Sequence, residues 1–457
     1  MKKYISLFLF LSAIFLAHYA FAGHAVYGDG NNYWAYLHTW RFDGNYDFAN
    51  EFRHVFFPDT NNAAVDTLAP EVLKTGITAV GRTDNNHTAG TALFFLPWYL
   101  LADVFAPVPN GYSDFYQVTV GLGVIFYLIL AVLLTEKLCL RLTKNPSASR
   151  WAALAVILCT PLLYYGSYDV LNSHVISYLL SVSFWFVFFT ADFSQAKWVI
   201  VSGLLVGLAA LSRLQDIFLI VPLLSPFAKN RERKLEDESE EVSLRRDSAP
   251  DLPCRQAGEA TGRRYPDRKV EGASLTRRSL GVVGPVLIPL IPQFFIWYYL
   301  YGLPLPQTYL GAGIFFNFIK PLFHPLTGFL SRTPLLFLSL LSLLFIRKKY
   351  LSPMLIFFII TWIIISLQGG WTAAAFGGRM FISTLPFFAV ILSLIFTRLP
   401  PKITAWIVFV FFLINLVSIG SFIFREKEVN SGRKRGLEER TVQKLHLLLP
   451  FTQKLPL

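Results

Sequence analysis

Carboxylates, guanidinium groups and imidazoles are sparse in this chain, and they fall at the ends of long apolar runs. Between residues 23 and 115 lie Asp29, Asp43, Asp47, Glu51, Arg82, Asp84 and His87, with Tyr33 and Trp34 among them. Further along come Asn172-Ser173-His174, then Arg213, Gln215 and Asp216, then Ser331-Arg332, and last Trp371 with Phe376-Gly377-Gly378-Arg379. These residue types do a narrow set of jobs. A carboxylate takes a proton from a hydroxyl, or joins others around a hard divalent cation. An arginine presents a planar fork to phosphate oxygens. Ionisable groups cost about 2.5–3.5 kcal/mol each at the centre of a membrane helix, so those kept near helix ends line a cavity or a path. Acids gathered at a membrane face need a reason to be there, and chemistry on a substrate presented by the membrane supplies one.

The elements that must position them are membrane helices. Of 457 residues, 54% are hydrophobic, 16% aromatic and only 15% charged, a balance that belongs to polytopic membrane proteins. Apolar runs predict about eleven helices, near 4–22, 116–138, 151–168, 173–191, 198–212, 215–228, 280–301, 334–346, 352–367, 380–397 and 403–424. The net charge of +12 sits in short clusters between these runs, which excludes nucleic acid as a partner and points to the positive-inside rule. Cys139, Cys159 and Cys254 have no metal-like spacing and form no disulfide framework.

Basic clusters set the expected topology. Lys137 to Arg150, Lys229 to Arg278, Arg347 to Lys349 and Arg398 with Lys402 follow the second, sixth, eighth and tenth runs, so all share one side with Lys2 and Lys3. The parity holds if Thr91 to Ala106, with Pro97 and Asp103, lies in the outer interface as an amphipathic helix instead of crossing. The N-terminal run reads either as a retained helix or as a secretory signal ending at Ala20-Phe21-Ala22, and the retained helix is preferred. Four regions follow. Residues 1–228 form an N-terminal membrane region with a large first outer loop over 23–115, and residues 229–279 form a charged cytoplasmic insertion. Residues 280–424 form a C-terminal membrane region with an outer loop over 302–333, and 425–457 are a tail. The insertion has too few large apolar residues to offset its ordering entropy and reads as disordered.

Four stretches together resemble the GT-C superfamily of polyprenyl-phosphate-sugar-dependent membrane glycosyltransferases, near the bacterial protein O-mannosyltransferases and the glycosyltransferase family 39 group. Asp29-Gly30-Asn31-Asn32-Tyr33, followed by Asp43 to Glu51, is similar to that family's first outer loop. His87 to Ala92 with Leu96-Pro97-Trp98-Tyr99 is similar to its interfacial helix. Leu326 to Leu336 resembles a Gly-Leu-x-x-x-x-Pro-Leu-Leu signature, and Trp371 with Phe376 to Arg379 resembles Trp-x-x-x-x-Phe-Gly-x-Arg. The chain departs from the family at Asp29-Gly30 and around Asp84 to His87, where relatives often carry Asp-Glu or Glu-Lys-Pro-Pro, which leaves the second acidic position weaker than the first.

The resemblance implies an all-α GT-C bundle in the plasma (inner) membrane that moves a sugar from a polyprenyl phosphate to a glycan, lipid or protein acceptor on the extracytoplasmic side. It implies Asp29 as the base, Asp84 as a second acidic candidate, and Arg379, Arg213, Arg82 and His174 as donor-phosphate ligands. Tyr33, Asp43, Asp47, Glu51, His87 and Trp371 are left to meet the acceptor or shape the loop. Metal dependence is left open: some relatives coordinate a divalent ion through first-loop acids and others act without one, and Asp29, Asp43, Asp47 and Asp84 offer oxygen ligands for such a cation. Simpler readings stand beside these. Asp29-Gly30 is also a turn dipeptide, Asp47 and Glu51 at i,i+4 also form a solvated helix face, and Arg379 also snorkels to headgroups. A transporter or flippase of lipid-linked glycans is the competing function; it calls for ionisable groups near helix midpoints.

Overall fold

The computed structural model describes residues 2–54, 76–224, 275–305, 316–325, 327–346, 348–368 and 375–426. Among these residues the chain is helical, and its one β-bridge joins Ile77 to Thr83. Helix α1 (Lys2–Ala22) leads to α2 (Asp29–His38), α3 (Ala49–Arg53) and α4 (Gly90–Phe105). Next come α5 (Asp114–Thr143), α6 (Pro146–Leu158), the single turn α7 (Leu162–Tyr165), α8 (His174–Thr190), α9 (Ala196–Ser212) and α10 (Ile220–Leu224). The second half holds α11 (Leu275–Leu287), α12 (Ile291–Tyr301), the short α13 (Lys320–Phe323) and α14 (Phe329–Arg332), α15 (Pro334–Leu341), α16 (Ser352–Leu367), α17 (Leu385–Phe396) and α18 (Pro401–Ser421).

Among the described residues five segments are long and apolar enough to cross a membrane: Lys2–Ala22, Asp114–Thr143, Gly281–Tyr301, Arg379–Phe396 and Pro401–Phe424. Six shorter apolar helices of 10–17 residues accompany them. Several expected spans are therefore built from pieces, and proline is one reason. It starts α6, α15, α16, α17 and α18 at their first turns, where a missing N–H costs nothing. The expected helix 151–168 instead breaks after Leu158, and Asn415 of α18 donates its amide to the freed carbonyls of Leu158 (2.8 Å) and Thr160 (3.0 Å). In lipid such carbonyls need an internal partner, and the asparagine is that partner.

Contacts at both ends of α1 and α5 make these helices antiparallel. Lys3 Nζ meets Glu136 Oε2 at 2.9 Å near the end of α5, and Tyr19 donates to Asp114 Oδ1 at 2.7 Å at its start. The N-terminus thus shares one end of the bundle with the basic cluster Lys137 to Arg150. The turn before α2 lies at the other end, where His18 stacks on Tyr168 with ring centroids 3.6 Å apart. Helix α18 returns to that second end, with Phe422 beside Tyr164 and Phe376. Helix α4 buries Thr91, Ala92, Phe95, Tyr99 and Ala102 on one stripe and exposes Leu93, Leu100, Leu101, Val104 and Phe105, an apolar face suited to lipid. Of the expected disordered insertion 229–279, residues 229–274 lie outside the described residues, as do the tail from 427 and Cys254, while 275–279 are helical as the start of α11; Cys139 and Cys159 are buried and unbonded to each other.

Candidate active site

Asp29 lies beyond the first helix, which ends at Ala22. The chain leaves α1 at Gly23, turns, and begins α2 at Asp29 itself, in the first turn of a helix. That placement favours a negative side chain, because unpaired N–H groups and the helix dipole face it. Tyr33 stands one turn along the same face and is buried, and its hydroxyl is pushed up to about 12 by burial and by the Asp29 charge.

Arg379 reaches Asp29 from the far end of the sequence. Its Nη1 donates to Asp29 Oδ2 at 2.9 Å across 350 positions, with side chains 21% and 32% exposed, so the pair is open enough for a substrate to meet it. The preceding glycines make this approach feasible. Gly377 and Gly378 have φ of 59° and 67°, and a Cβ on Gly378 would lie 2.6 Å from the Phe329 Cα. Only glycine fits a left-handed backbone pressed that closely against another main chain. The segment is pinned further by Phe376, whose N–H donates to the Tyr165 hydroxyl at 2.9 Å, and by Gln215, which donates to the Met380 carbonyl at 2.5 Å.

Two more groups close around Asp29. His87 brings Nε2 to 3.8 Å from Asp29 Oδ1, while its Nδ1 contacts the Asn86 amide at 2.7 Å and its ring meets Tyr33 edge-on. Burial, with Arg379 and Arg213 nearby, holds this imidazole below its ordinary range against the pull of Asp29. Arg213 follows the end of α9 and donates Nη1 to His174 Nδ1 at 2.5 Å. Its charge also acts on Asp29. Burial drives the Asp29 carboxyl up, but Arg379, His87 and Arg213 outweigh it and leave the group below the usual carboxylate range, ionised at neutral pH.

The expected donor ligands therefore divide. Arg379 and Arg213 converge on Asp29. His174 is fully buried, and its Nδ1 accepts from Arg213. Arg82 lies 3.7 Å over the Tyr299 ring, and Arg332 donates to Ser418 Oγ at 3.1 Å. Asp84, the second acidic candidate, accepts from the Tyr301 hydroxyl, and burial raises its carboxyl above the usual range. That contact fastens the first loop to α12. Trp371 lies outside the described residues. Asp216, to which the sequence pattern assigns no role, is buried below Arg213 and bonded by Ser177 at 2.5 Å; its position makes it a counter-charge for Arg213.

The remaining loop acids sit at the other end of α2. Asp47 accepts from the Ala49 N–H at 3.3 Å just before α3, so it shapes the turn. Glu51 is buried within α3, which corrects the solvated-face reading: Asp47 lies outside the helix and Glu51 points inward. Burial, then the Asp43 carboxyl beside it, pushes Glu51 up to about 9, while burial lowers its neighbour His38 to about 4. Their 3.0 Å contact is thus one between neutral groups.

A small pocket beside Arg379 is lined by Pro321, Thr327, Ile365, Gly378, Arg379 and Phe381. One end of the bundle thus combines an ionised carboxylate and two guanidiniums. Residues 114–238, which carry His174, Arg213 and Asp216, match the family model described as dolichyl-phosphate-mannose-protein mannosyltransferase. No curated protein and no solved structure matches the chain. Through residues 114–238 the chain is similar to the dolichyl-phosphate-mannose-protein mannosyltransferases, which supports a membrane glycosyltransferase of the GT-C type using a polyprenyl-phosphate sugar.

Proposed function

We propose that the protein transfers a sugar from a polyprenyl phosphate to a hydroxyl acceptor at the extracytoplasmic membrane face, with inversion at the anomeric carbon. The observation that carries this reading is the Asp29–Arg379 pair at 2.9 Å, with Arg213 close by. It sets a base and two phosphate-binding cations around one point. The acceptor hydroxyl attacks the anomeric carbon as the bond to the phosphate oxygen breaks. Asp29 takes the hydroxyl proton, and Arg379 and Arg213 neutralise the departing polyprenyl phosphate. A phosphate leaves without being protonated, so no second carboxyl acid is needed and Asp84 is free for its structural bond. Attack on the face opposite the leaving group inverts the centre.

The low pKa of Asp29 suits its first duty, which is to be ionised before the acceptor arrives. A donor phosphate that draws Arg379 toward itself leaves Asp29 with less positive charge nearby and makes it a better base. The topology supports the outer face, because the basic cluster Lys137 to Arg150 and Lys3 share the opposite end.

The test is mass spectrometry of surface glycans and lipid-linked sugars in cells with and without this protein. Loss of one glycan with build-up of its polyprenyl-phosphate sugar supports transfer. Loss of that sugar lipid from the outer leaflet alone, with synthesis intact, would instead support the flippase. For sidedness, cysteines at positions 60 and 240 in a chain carrying Cys254→Ser are treated with an impermeant thiol reagent. Position 60 should react from outside and position 240 should not; reversed labelling overturns the arrangement.

A further inference from the structure

The C-terminal end of α2 gathers a second cluster for which the proposed reaction has no use. A π-type turn over Thr39–Asp43 continues the helix, closed by the Gly44 N–H on the Thr39 carbonyl at 2.7 Å. In an i→i+5 turn residues five apart fall near one another, so Asp43 comes round beneath His38. Glu51 enters from α3. One ligand atom from each of His38, Asp43 and Glu51 lies within 4.8 Å of the others. His38 Nδ1 is 3.0 Å from Glu51 Oε1 and 3.8 Å from Asp43 Oδ2. A tetrahedral ion with bonds of about 2.0–2.2 Å sets ligand–ligand edges of about 3.3–3.6 Å, between these two distances.

A second observation is the state of Glu51. Its side chain is 2% exposed, and its Oε2 has no hydrogen-bond partner among the described residues. The nearby Arg41 is committed to Asp103 at 2.6 Å. A buried carboxylate placed against another acid, with no arginine or lysine between them, is costly unless a cation or a proton joins them. We propose that His38, Asp43 and Glu51 bind one divalent cation of the zinc class, which ties the end of α2 to α3. One imidazole and two carboxylates make a borderline donor set that suits zinc better than calcium or magnesium. The His38 ring is already fixed by stacking on Tyr112 at 4.2 Å, and Asn50 Nδ2 holds Asp43 Oδ2 at 2.8 Å, the kind of outer bond that orients a ligand. Asp43, 22% exposed at its side chain, is the ligand through which the ion enters.

Helix α2 holds this site and Asp29 nine residues apart, about 13 Å along the axis. The ion is therefore structural, and its test does not depend on the transfer reaction. The full-length protein in nanodiscs is freed of metal with a chelator and titrated with Co²⁺ and with Zn²⁺. We expect about one ion per chain, a visible Co²⁺ band of tetrahedral character, and a rise in thermal midpoint with Zn²⁺. Glu51→Gln and Asp43→Asn should lose all three responses, Asn50→Ala should bind about 10–100-fold more weakly, and Asp29→Asn should respond like wild type. No stoichiometric ion in the wild type, or unchanged binding in Glu51→Gln, overturns the proposal; Asn50→Ala keeps the test decisive if the ligand variants misfold.

Discussion

The two ends of α2 treat acidic side chains in opposite ways. At the N-terminal end Asp29 is partly open, sits in a first helical turn, and is matched by two guanidiniums that hold it ionised. At the C-terminal end Glu51 is buried beside Asp43 with a neutral imidazole as its nearest partner, and it is pushed toward the protonated form. The same chemical group is thus a standing charge at one end of a short helix and a buried acid driven toward its protonated form at the other. Neighbours decide this. An acid surrounded by cations can meet a hydroxyl next to an anionic leaving group. An acid surrounded by acid and imidazole waits for a cation.

Substitutions that remove this difference should act in a definite order. Asp29→Asn keeps the shape and removes the charge, and turnover should fall by about 10²–10⁴-fold in a reconstituted transfer assay. Arg379→Ala removes the main counter-charge, with an expected loss of about 10²–10³-fold read in the same assay. The pH profile sharpens that second case. Asp29 lies below the usual carboxylate range, so activity should stay flat through neutral pH and fall only when strong acid protonates it. Without Arg379 the pKa rises, and the acid limb should move to higher pH. The stability due to the pair follows the same sign: it is present above the ordinary carboxylate pKa and lost as pH falls through the lowered one.

Smaller effects are expected further out. Gly378→Ala forces a side chain into a left-handed backbone against the Phe329 main chain, and should cost about 1–3 kcal/mol in thermal or denaturant stability while displacing Arg379. Tyr301→Phe removes only the donor to Asp84 and should cost about 1 kcal/mol with turnover nearly unchanged. A collapse of turnover in Tyr301→Phe would return Asp84 to the reaction.

Much of this arrangement is legible in the chain. Apolar run length and basic clusters indicate the all-helical membrane class, and the α1–α5 contacts place the N-terminus and the basic cluster Lys137 to Arg150 at one end of the bundle. Asp29 and Arg379 stand in motifs on separate stretches of the chain, and they meet across 350 positions. What sequence alone does not resolve depends on packing direction. His174 and Arg82 carry suitable groups, but that one lies buried against Arg213 and the other stacks on Tyr299 depends on how the helices pack. Asp47 and Glu51 have helical spacing, yet the helix starts between them. His38 escapes a sequence reading because an imidazole at the end of an aromatic run has no signature; only the π turn that swings Asp43 beneath it reveals the cluster.

The central claim is a division of labour between Asp29 and Arg379, and donor binding measured beside turnover tests it most directly. A polyprenyl-phosphate sugar is titrated onto wild type, Asp29→Asn and Arg379→Ala in nanodiscs, and single-turnover transfer is followed in the same samples. We predict that Asp29→Asn binds the donor at least as well as wild type but does not transfer, whereas Arg379→Ala loses donor affinity. Transfer at the wild-type rate by Asp29→Asn, or unchanged donor binding by Arg379→Ala, would contradict it.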